Sequence, residues 1–381
     1  MKLLKKILWY IFIIFCLFSF SLYLKEFLFN KPAEVEEEKP KKEEKPKKEE
    51  YSLSLAMVGD ALYHTGTYQD GYQSNGTYSF DYQLEQIKPI IETFDLAYYN
   101  QESILGGKSL GYSSYPAFNS PSEVGDAYVN AGFNLVSLAN NHTLDKGTTG
   151  VLNSAAYWKT KDVVTAGSYA SAEDRKMQIH TKNNIDYAFL SYTVTTNGIN
   201  VPYGKDYLVD VYSFEKAKAD IESVKDADVI FVAMHWGDEY TYEANAKQVQ
   251  IATELSSLGV DVIIGAHPHV VQPIDKINDT IIFYSLGNFI SGQIGIERRV
   301  GLLASLKVNK VVENNIETVS ITDIAGELLY TSRTESFTNY KVIPFRNLNN
   351  STLYNYDNIK SKYEAIVAKN NIPGVTVGKV N

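Results

Sequence analysis

The stretch IIGAHPHVVQP, residues 263–273, carries His267 and His269 on either side of Pro268 at the end of an apolar run. Side chains two apart in an extended segment project the same way, and proline stops a strand. The spacing therefore predicts both imidazoles together at a strand's carboxyl end. Neutral imidazole is the commonest protein metal ligand, which makes the pair a candidate metal site; a surface loop that merely contains two histidines is the alternative. Other polar residues also fall where apolar runs stop. Asp60 closes AMVGD, with His64 four residues later; Glu102 closes LAYYNQE; Asn140, Asn141 and His142 close LVSLANNH; His235 closes VIFVAMHWG. Five of the six histidines lie in these endings. The sixth, His180, sits in the alternating run MQIHTKN and reads as a half-exposed strand residue.

Singly, each has an ordinary reading. Asp60 suits a turn or a helix cap, Glu102 a surface position, the asparagines left-handed turn geometry, and His142 a helix start. His235 beside Trp236 suits a satisfied buried histidine, and nothing fixes the direction of His64 relative to Asp60. The coincidence of all of them at run endings is what points to chemistry. Two carboxylates, an asparagine oxygen and three or four imidazoles form a hard, thiol-free set suited to manganese, iron or zinc, and too rich in nitrogen for calcium. There are enough ligands for two ions sharing one carboxylate, an arrangement that activates a water and stabilises displacement at phosphorus. His142, next to Asn141, suits the protonation of a leaving group. The one cysteine, Cys16, excludes an intrachain disulfide and a thiolate metal cluster.

Such a set needs strands to carry it. From Ser52 the chain alternates short β-rich runs with helical stretches: SLSLAMVGD then LEQIKPIIETF, DLAYYNQE then PSEVGDAYVNAG, NLVSLANN then TGVLNSAAYWKTK. The pattern resumes with DVIFVAMHWG, a helix over about Asn245 to Leu258, and VDVIIGAHPHV. TIIFYSLGNF, VGLLASLKV, ETVSITDI and KVIPF then read as consecutive strands, followed by a helix over about Tyr354 to Lys369. This predicts an α/β domain with helices covering its strands, and in such folds ligands bind outside the strands' carboxyl ends.

The amino end differs. Lys2, Lys5 and Lys6 precede an apolar run from Ile7 to Leu24, near the length a bilayer core requires, and the basic flank belongs on the cytoplasmic side. A cleaved signal peptide is the rival, with Ser19 and Ser21 imitating a cleavage site; the bulk of the run favours an uncleaved anchor over residues 1–30. Residues 31–50, KPAEVEEEKPKKEEKPKKEE, have almost nothing apolar to bury and read as a solvated stalk. The first fifty residues are net +2 within a total of -9, leaving about -11 for an extracellular domain over 51–381. That balance argues against a sequence-independent grip on nucleic acid. The expected topology is a single pass through the cell membrane.

Taken together, GDALYH, NQES, SLANNHTLDKG, HWGDEY, IIGAHPHVVQP and YSLGNFISG, in this order and spacing, resemble the CapA-type capsule-synthesis proteins associated with bacterial poly-gamma-glutamate capsules. Those are similar to calcineurin-like metallophosphoesterases, whose fold is a β-sandwich flanked by helices. The resemblance covers about residues 52–292. It implies Asp60 and His269 on one metal, Asn141, His235 and His267 on the other, Glu102 as the bridging carboxylate, and His142 near the leaving group. Two departures stand out: the phosphoesterases begin with Asp-x-His, whereas three residues separate Asp60 from His64, and their bridging residue is an aspartate. His64, Asn140 and Asn288 are further metal or substrate candidates. Gly287 suits a close backbone approach, and Lys146, Arg298 and Arg299 are candidate anion contacts. The resemblance implies a metal-dependent hydrolase or transferase acting on an anionic envelope polymer or its precursor, with membrane subunits of a capsule synthase as candidate partners. The alternatives are a non-catalytic anchor or export subunit and a general surface phosphoesterase.

Overall fold

Apolar residues at every second position decide the architecture. In β1 (Lys48–Leu62), Leu53, Leu55 and Met57 pack to one side and Ala56 and Val58 to the other; in β2 (Leu96–Asn100), Leu96 and Tyr98 divide in the same way from Ala97 and Tyr99. Strands apolar on both faces must be covered on both faces. The structure, a computed structural model, describes residues 1–29 and 48–380. The chain divides into two units, Met1–Lys47 and Lys48–Asn381.

The second unit holds two sheets. In the first, β1 and β2 are continued by β3 (Leu135–Ser137) and β4 (Val164–Ala166), all parallel. On its other side β1 pairs with β11 (Asn288–Ser291) and, antiparallel, with β12 (Val300–Glu313); beyond β12 come β13 (Ile316–Ser332), β14 (Lys341–Pro344) and β15 (Val375–Val377). The second sheet runs in the order β5 (Ile179–Lys182), β6 (Ile185–Thr193), β7 (Val229–His235), β8 (Val262–Ala266), β10 (Thr280–Phe283), β9 (Ile274–Ile277). Between the sheets, Met57, Tyr98 and Leu135 share one core with Phe189, Phe231 and Ile264. Helix Glu123–Asn130 covers the outer face of the first sheet with Val124, Ala127 and Tyr128. Helices Phe214–Glu222 and Ala246–Ser257 cover the second with Ile221, Ile251 and Leu255. Helix Ala246–Ser257 starts at a capping box in which the Asn245 side chain accepts from Gln248 N and the Gln248 side chain from Asn245 N. The result is an α/β sandwich flanked by helices.

Three expectations change. LEQIKPIIETF holds only one short helix of its own, Lys88–Ile91, with Pro89 in the first turn where it is tolerated; the short helix before it, Asp81–Leu84, ends at the stretch's first residue. TIIFYSLGNF is not one strand: β10 and β11 belong to different sheets, and the chain crosses between them over residues 284–287. Most of the charged tract, residues 31–47, lies outside the described residues. Its last three, Lys48–Glu50, are strand rather than stalk, because they pair with Glu313, Val312 and Val311 of β12; ladder hydrogen bonds need no apolar side chain.

In the first unit, helix Lys2–Phe29 has a mean hydropathy of 2.3 over its most apolar window and is long and apolar enough to cross a membrane.

One backbone approach places β11. A Cβ on Gly59 would lie 1.8 Å from the Gly287 carbonyl oxygen, and that oxygen accepts from Asp60 N at 3.0 Å. Glycine at 59 thus lets β11 lie beside β1 with Asn288 opposite Asp60. Gly59→Ala should cost about 3 kcal/mol, the range of overpacking at a rigid contact, and chemical denaturation of the variant measures it.

Candidate metal centre

Five parallel strands end at one place. Asp60 lies near the end of β1, Asn100 ends β2 with Glu102 two residues on, Asn140 to His142 follow β3, His235 ends β7, and His267 and His269 follow β8. All of them are buried. Ligand atoms of Glu102, His235 and His267 lie within 4.8 Å of one another, and so do those of Asp60, Glu102 and His269. Glu102 belongs to both groups: its Oε1 is 3.6 Å from His235 Nε2 and 3.6 Å from His269 Nε2. Asn141 Oδ1 is 2.9 Å from His235 Nε2. Asp60 Oδ2 is 3.3 Å from His269 Nδ1, which also meets Asn288 Oδ1 at 2.9 Å.

The two histidines of the HPH segment do not reach this point by strand alternation. β8 ends at Ala266, and His267 and His269 take φ of 97° and 57°, in the left-handed region that side chains other than glycine and asparagine rarely adopt. Such strain, about 1–3 kcal/mol per residue, persists only where surroundings hold it. Here His267 N donates to Asp60 Oδ2 at 3.2 Å, and Gln272 N to Ser285 O at 3.0 Å. The turn leaves the His267 ring centre 4.7 Å from that of His235 and 5.9 Å from that of His269.

The electrostatics fit a cation. Glu102 is wholly buried and neither carboxylate oxygen has a hydrogen-bond donor; His267 Nδ1 and Asn100 Oδ1 are likewise buried without partners. Burial pushes the Glu102 carboxyl well up, only partly offset by the neighbouring His269. Burial opposes charge on His269 as well, yet Glu102 and then Asp60 outweigh it and lift this ring to about 9. Burial pulls His235 well down and His267 down to about 4, so both present neutral rings. Unpaired carboxylate oxygens, an amide oxygen and neutral imidazoles facing one point are the donor set of a divalent cation.

His142 stands beside the cluster with its Nδ1 2.7 Å from Asp145 Oδ2 and its ring 4.6 Å, edge-on, from that of Phe118. Asn140 braces this turn, its Nδ2 donating to Gln101 O at 2.9 Å and its Oδ1 accepting from His142 N at 3.0 Å. Asn288 donates to Arg298 O at 2.8 Å and to Gln293 Oε1 at 2.9 Å. His64 stays out of both ligand groups: its Nδ1 faces Leu62 O at 3.2 Å and Gly292 N at 3.3 Å. The Arg298 guanidinium lies 4.0 Å over the Tyr240 ring, whose centre is 6.1 Å from that of His269. Arg299 is turned away, donating to Thr331 O at 2.8 Å. Lys146 immediately precedes helix Gly147–Trp158.

Three functional residues escaped the sequence reading. Asn100 Nδ2 meets Asp60 Oδ1 at 2.8 Å and His235 Nδ1 at 3.3 Å, tying the two sheets together. Its place two residues before Glu102 was the available signal. Asp145, three residues after His142, was legible as a partner within one turn. Glu239, in HWGDEY, has a carboxylate oxygen in a third group with His267 and His269.

The strand ends of a helix-flanked sandwich thus carry one carboxylate shared between two ligand groups. Residues 54–293 match the family described as bacterial capsule synthesis protein PGA_cap, and the chain belongs to that CapA-type family. It is 32% identical over 190 residues to the PGA biosynthesis protein CapA of Bacillus subtilis, an alignment covering 47% of this chain and 48% of the relative. It is 29% identical over 253 residues to the capsule biosynthesis protein CapA of Bacillus anthracis, covering 63% of this chain and 60% of the relative. The matches thus span about half to three fifths of those relatives' lengths. The Haemophilus influenzae NAD nucleotidase structure superposes with a TM-score of 0.44 at 14% identity, over 87% of this chain and 65% of that one.

Glu102→Gln removes the buried negative charge while keeping the side chain's shape. With a chelator present, the variant should melt at or above the wild-type temperature. With manganese at about a hundred times its dissociation constant, the wild type should gain about 2.7 kcal/mol and the variant almost nothing. Thermal denaturation with and without chelator measures both.

Proposed function

We propose that the outer unit is a metal-dependent hydrolase or transferase acting on an anionic envelope polymer or its phosphate-linked precursor during capsule assembly. The observation that carries this reading is the convergence of Asp60, Glu102, Asn141, His235, His267 and His269, with the Glu102 oxygens buried and without donors. Asp60, Glu102 and His269 would hold one divalent ion, and Glu102, Asn141, His235 and His267 a second, with manganese, iron or zinc suited to these donors. When bound, such ions supply charge stabilisation and a nucleophilic water near neutral pH.

The protein's own groups do the rest. Asp145 holds His142 Nδ1, which fixes the ring's orientation and leaves Nε2 to carry a proton to a leaving oxygen. Phe118 N also donates to Asp145 Oδ2, at 2.6 Å, so the carboxylate is itself held in place. Arg298, stacked on Tyr240 beside His269, offers positive charge to an anionic substrate. Residues 51–381, with a net charge of about -11, repel a polyanion over most of their surface. That favours transient handling of chain ends over tight storage of polymer. Helix Lys2–Phe29, with its basic flank in the cytoplasm, would anchor the chain by a single pass with the outer unit extracellular, beside membrane subunits of the capsule synthase.

The test is turnover of simple phosphoesters by the detergent-solubilised full chain with manganese. His142→Ala should lose about 10²-fold to 10⁴-fold in kcat with its metal content unchanged, and Asp145→Asn should lose part of that. Metal bound with no turnover on phosphoesters or on polymer would favour the non-catalytic anchor.

A further inference from the structure

HWGDEY, residues 235–240, contains a carboxylate outside the ligand set above. Glu239 brings an oxygen within 4.8 Å of a ring nitrogen of His267 and one of His269, and those two nitrogens are equally close to each other. Asp60 and Glu102 are fully buried, whereas Glu239 is exposed, so it approaches the centre from the solvent side. An exposed carboxylate near histidines is common and by itself means little. Two further observations give this one weight.

The first is that its loop is held on every side. Trp236 N donates to Ala266 O at 3.1 Å and its indole nitrogen to Tyr284 O at 2.9 Å, while Tyr240 N donates to Pro268 O at 2.8 Å, inside the HPH turn itself. Gln272 Nε2 binds Thr241 O at 2.8 Å and Glu243 O at 3.0 Å. Gly237 takes a φ of 90°, and a Cβ there would sit 2.8 Å from the buried Gln248 side chain. Tyr240 takes a φ of 63°, with its ring under the Arg298 guanidinium at 4.0 Å and its centre 6.1 Å from that of the His269 ring. The backbone on both sides of Glu239 is therefore fixed against the two histidines. The second observation is that His267, only 8% exposed, has a buried Nδ1 with no hydrogen-bond partner. A buried ring nitrogen is seldom left so unless a ligand takes it up.

We propose that Glu239 is a further metal-ligating carboxylate, closing the centre on its solvent side together with His267 and His269. The proposal rests on the metal-dependent reading above. Its chemistry differs from that of Glu102. A buried shared carboxylate is locked in place by the folded sandwich, whereas an exposed one can yield to a competing anion without disturbing the cage beneath it. Glu239 is thus the ligand that a phosphate or carboxylate group of a substrate would displace, and it lowers the net charge of the loaded centre until that exchange occurs.

The test is calorimetric titration of manganese into the detergent-solubilised full chain, wild type against Glu239→Gln, with His235→Ala as a buried-ligand control. Glu239→Gln should weaken one binding event by about 10-fold to 100-fold, with the melting temperature in chelator unchanged because the side chain is exposed. Glu239→Ala should show the same loss. Manganese binding by both Glu239 variants that matches the wild type would overturn the proposal while leaving the metal centre standing, provided His235→Ala binds more weakly. A wild-type chain that takes up no ion would overturn both.

Discussion

A carboxylate sealed from water, with no donor on either oxygen, is the constraint on which the second unit turns. Leaving a carboxylate ionised and unpaired in a protein interior costs several kcal/mol, a large share of the 5–15 kcal/mol that separates a typical folded domain from its unfolded chain. Burial pushes the Glu102 carboxyl well up for this reason, and the His269 ring 3.6 Å away offsets only part of the cost. A compact positive charge between these groups removes the cost. The same logic accounts for the strained HPH turn, whose left-handed residues raise the energy of the isolated chain but put two ring nitrogens where that charge would lie.

The scaffold meets the constraint by using both sheets. Asp60, Asn100, Glu102 and Asn141 come from the strand ends of the first sheet, and His235, His267 and His269 from those of the second. Neither of the two groups that share Glu102 is complete within one sheet. Asn100 ties them at the seam, since one amide nitrogen reaches Asp60 in the first sheet and His235 in the second. β11 adds the last support, passing from the second sheet to lie beside β1 and set Asn288 against His269. Packing of the shared core thus holds the two sets of strand ends against each other.

Much of this was legible from sequence, for a definite reason. Apolar runs ending in polar residues mark strand ends, and the carboxyl ends of parallel strands gather at one rim of a sheet. Asp60, Glu102, Asn140 to His142, His235, His267 and His269 could therefore be grouped without coordinates, and the family resemblance narrowed the ligand set to six of them. The covering helix after Asn245 was also clear, because its capping pair sits in the local sequence. What stayed hidden depended on nonlocal geometry. The break of TIIFYSLGNF between two sheets depends on Gly59 meeting the Gly287 carbonyl, a contact between residues more than two hundred positions apart. The pairing of Lys48–Glu50 with β12 leaves no apolar trace, because backbone groups alone make it. Asn100 and Asp145 act through other side chains, and a residue whose partner is another polar group has no periodicity to betray it.

The two ligand groups are not equivalent, and the difference follows from burial and charge. Asp60 and Glu102 both bear on His269, which is why that ring alone among the clustered histidines is lifted while His235 and His267 are pulled down. One group thus combines two carboxylates with an imidazole whose Nδ1 is tied to Asn288. The other combines the shared carboxylate with two neutral rings and the Asn141 amide. Ions in these positions would feel different ligand charge, the first held mainly by electrostatics and the second mainly by nitrogen donors. A shared carboxylate one methylene longer than aspartate suits that asymmetry, since its reach lets Oε1 stay at equal distance from His235 and His269 although they hang from different strands.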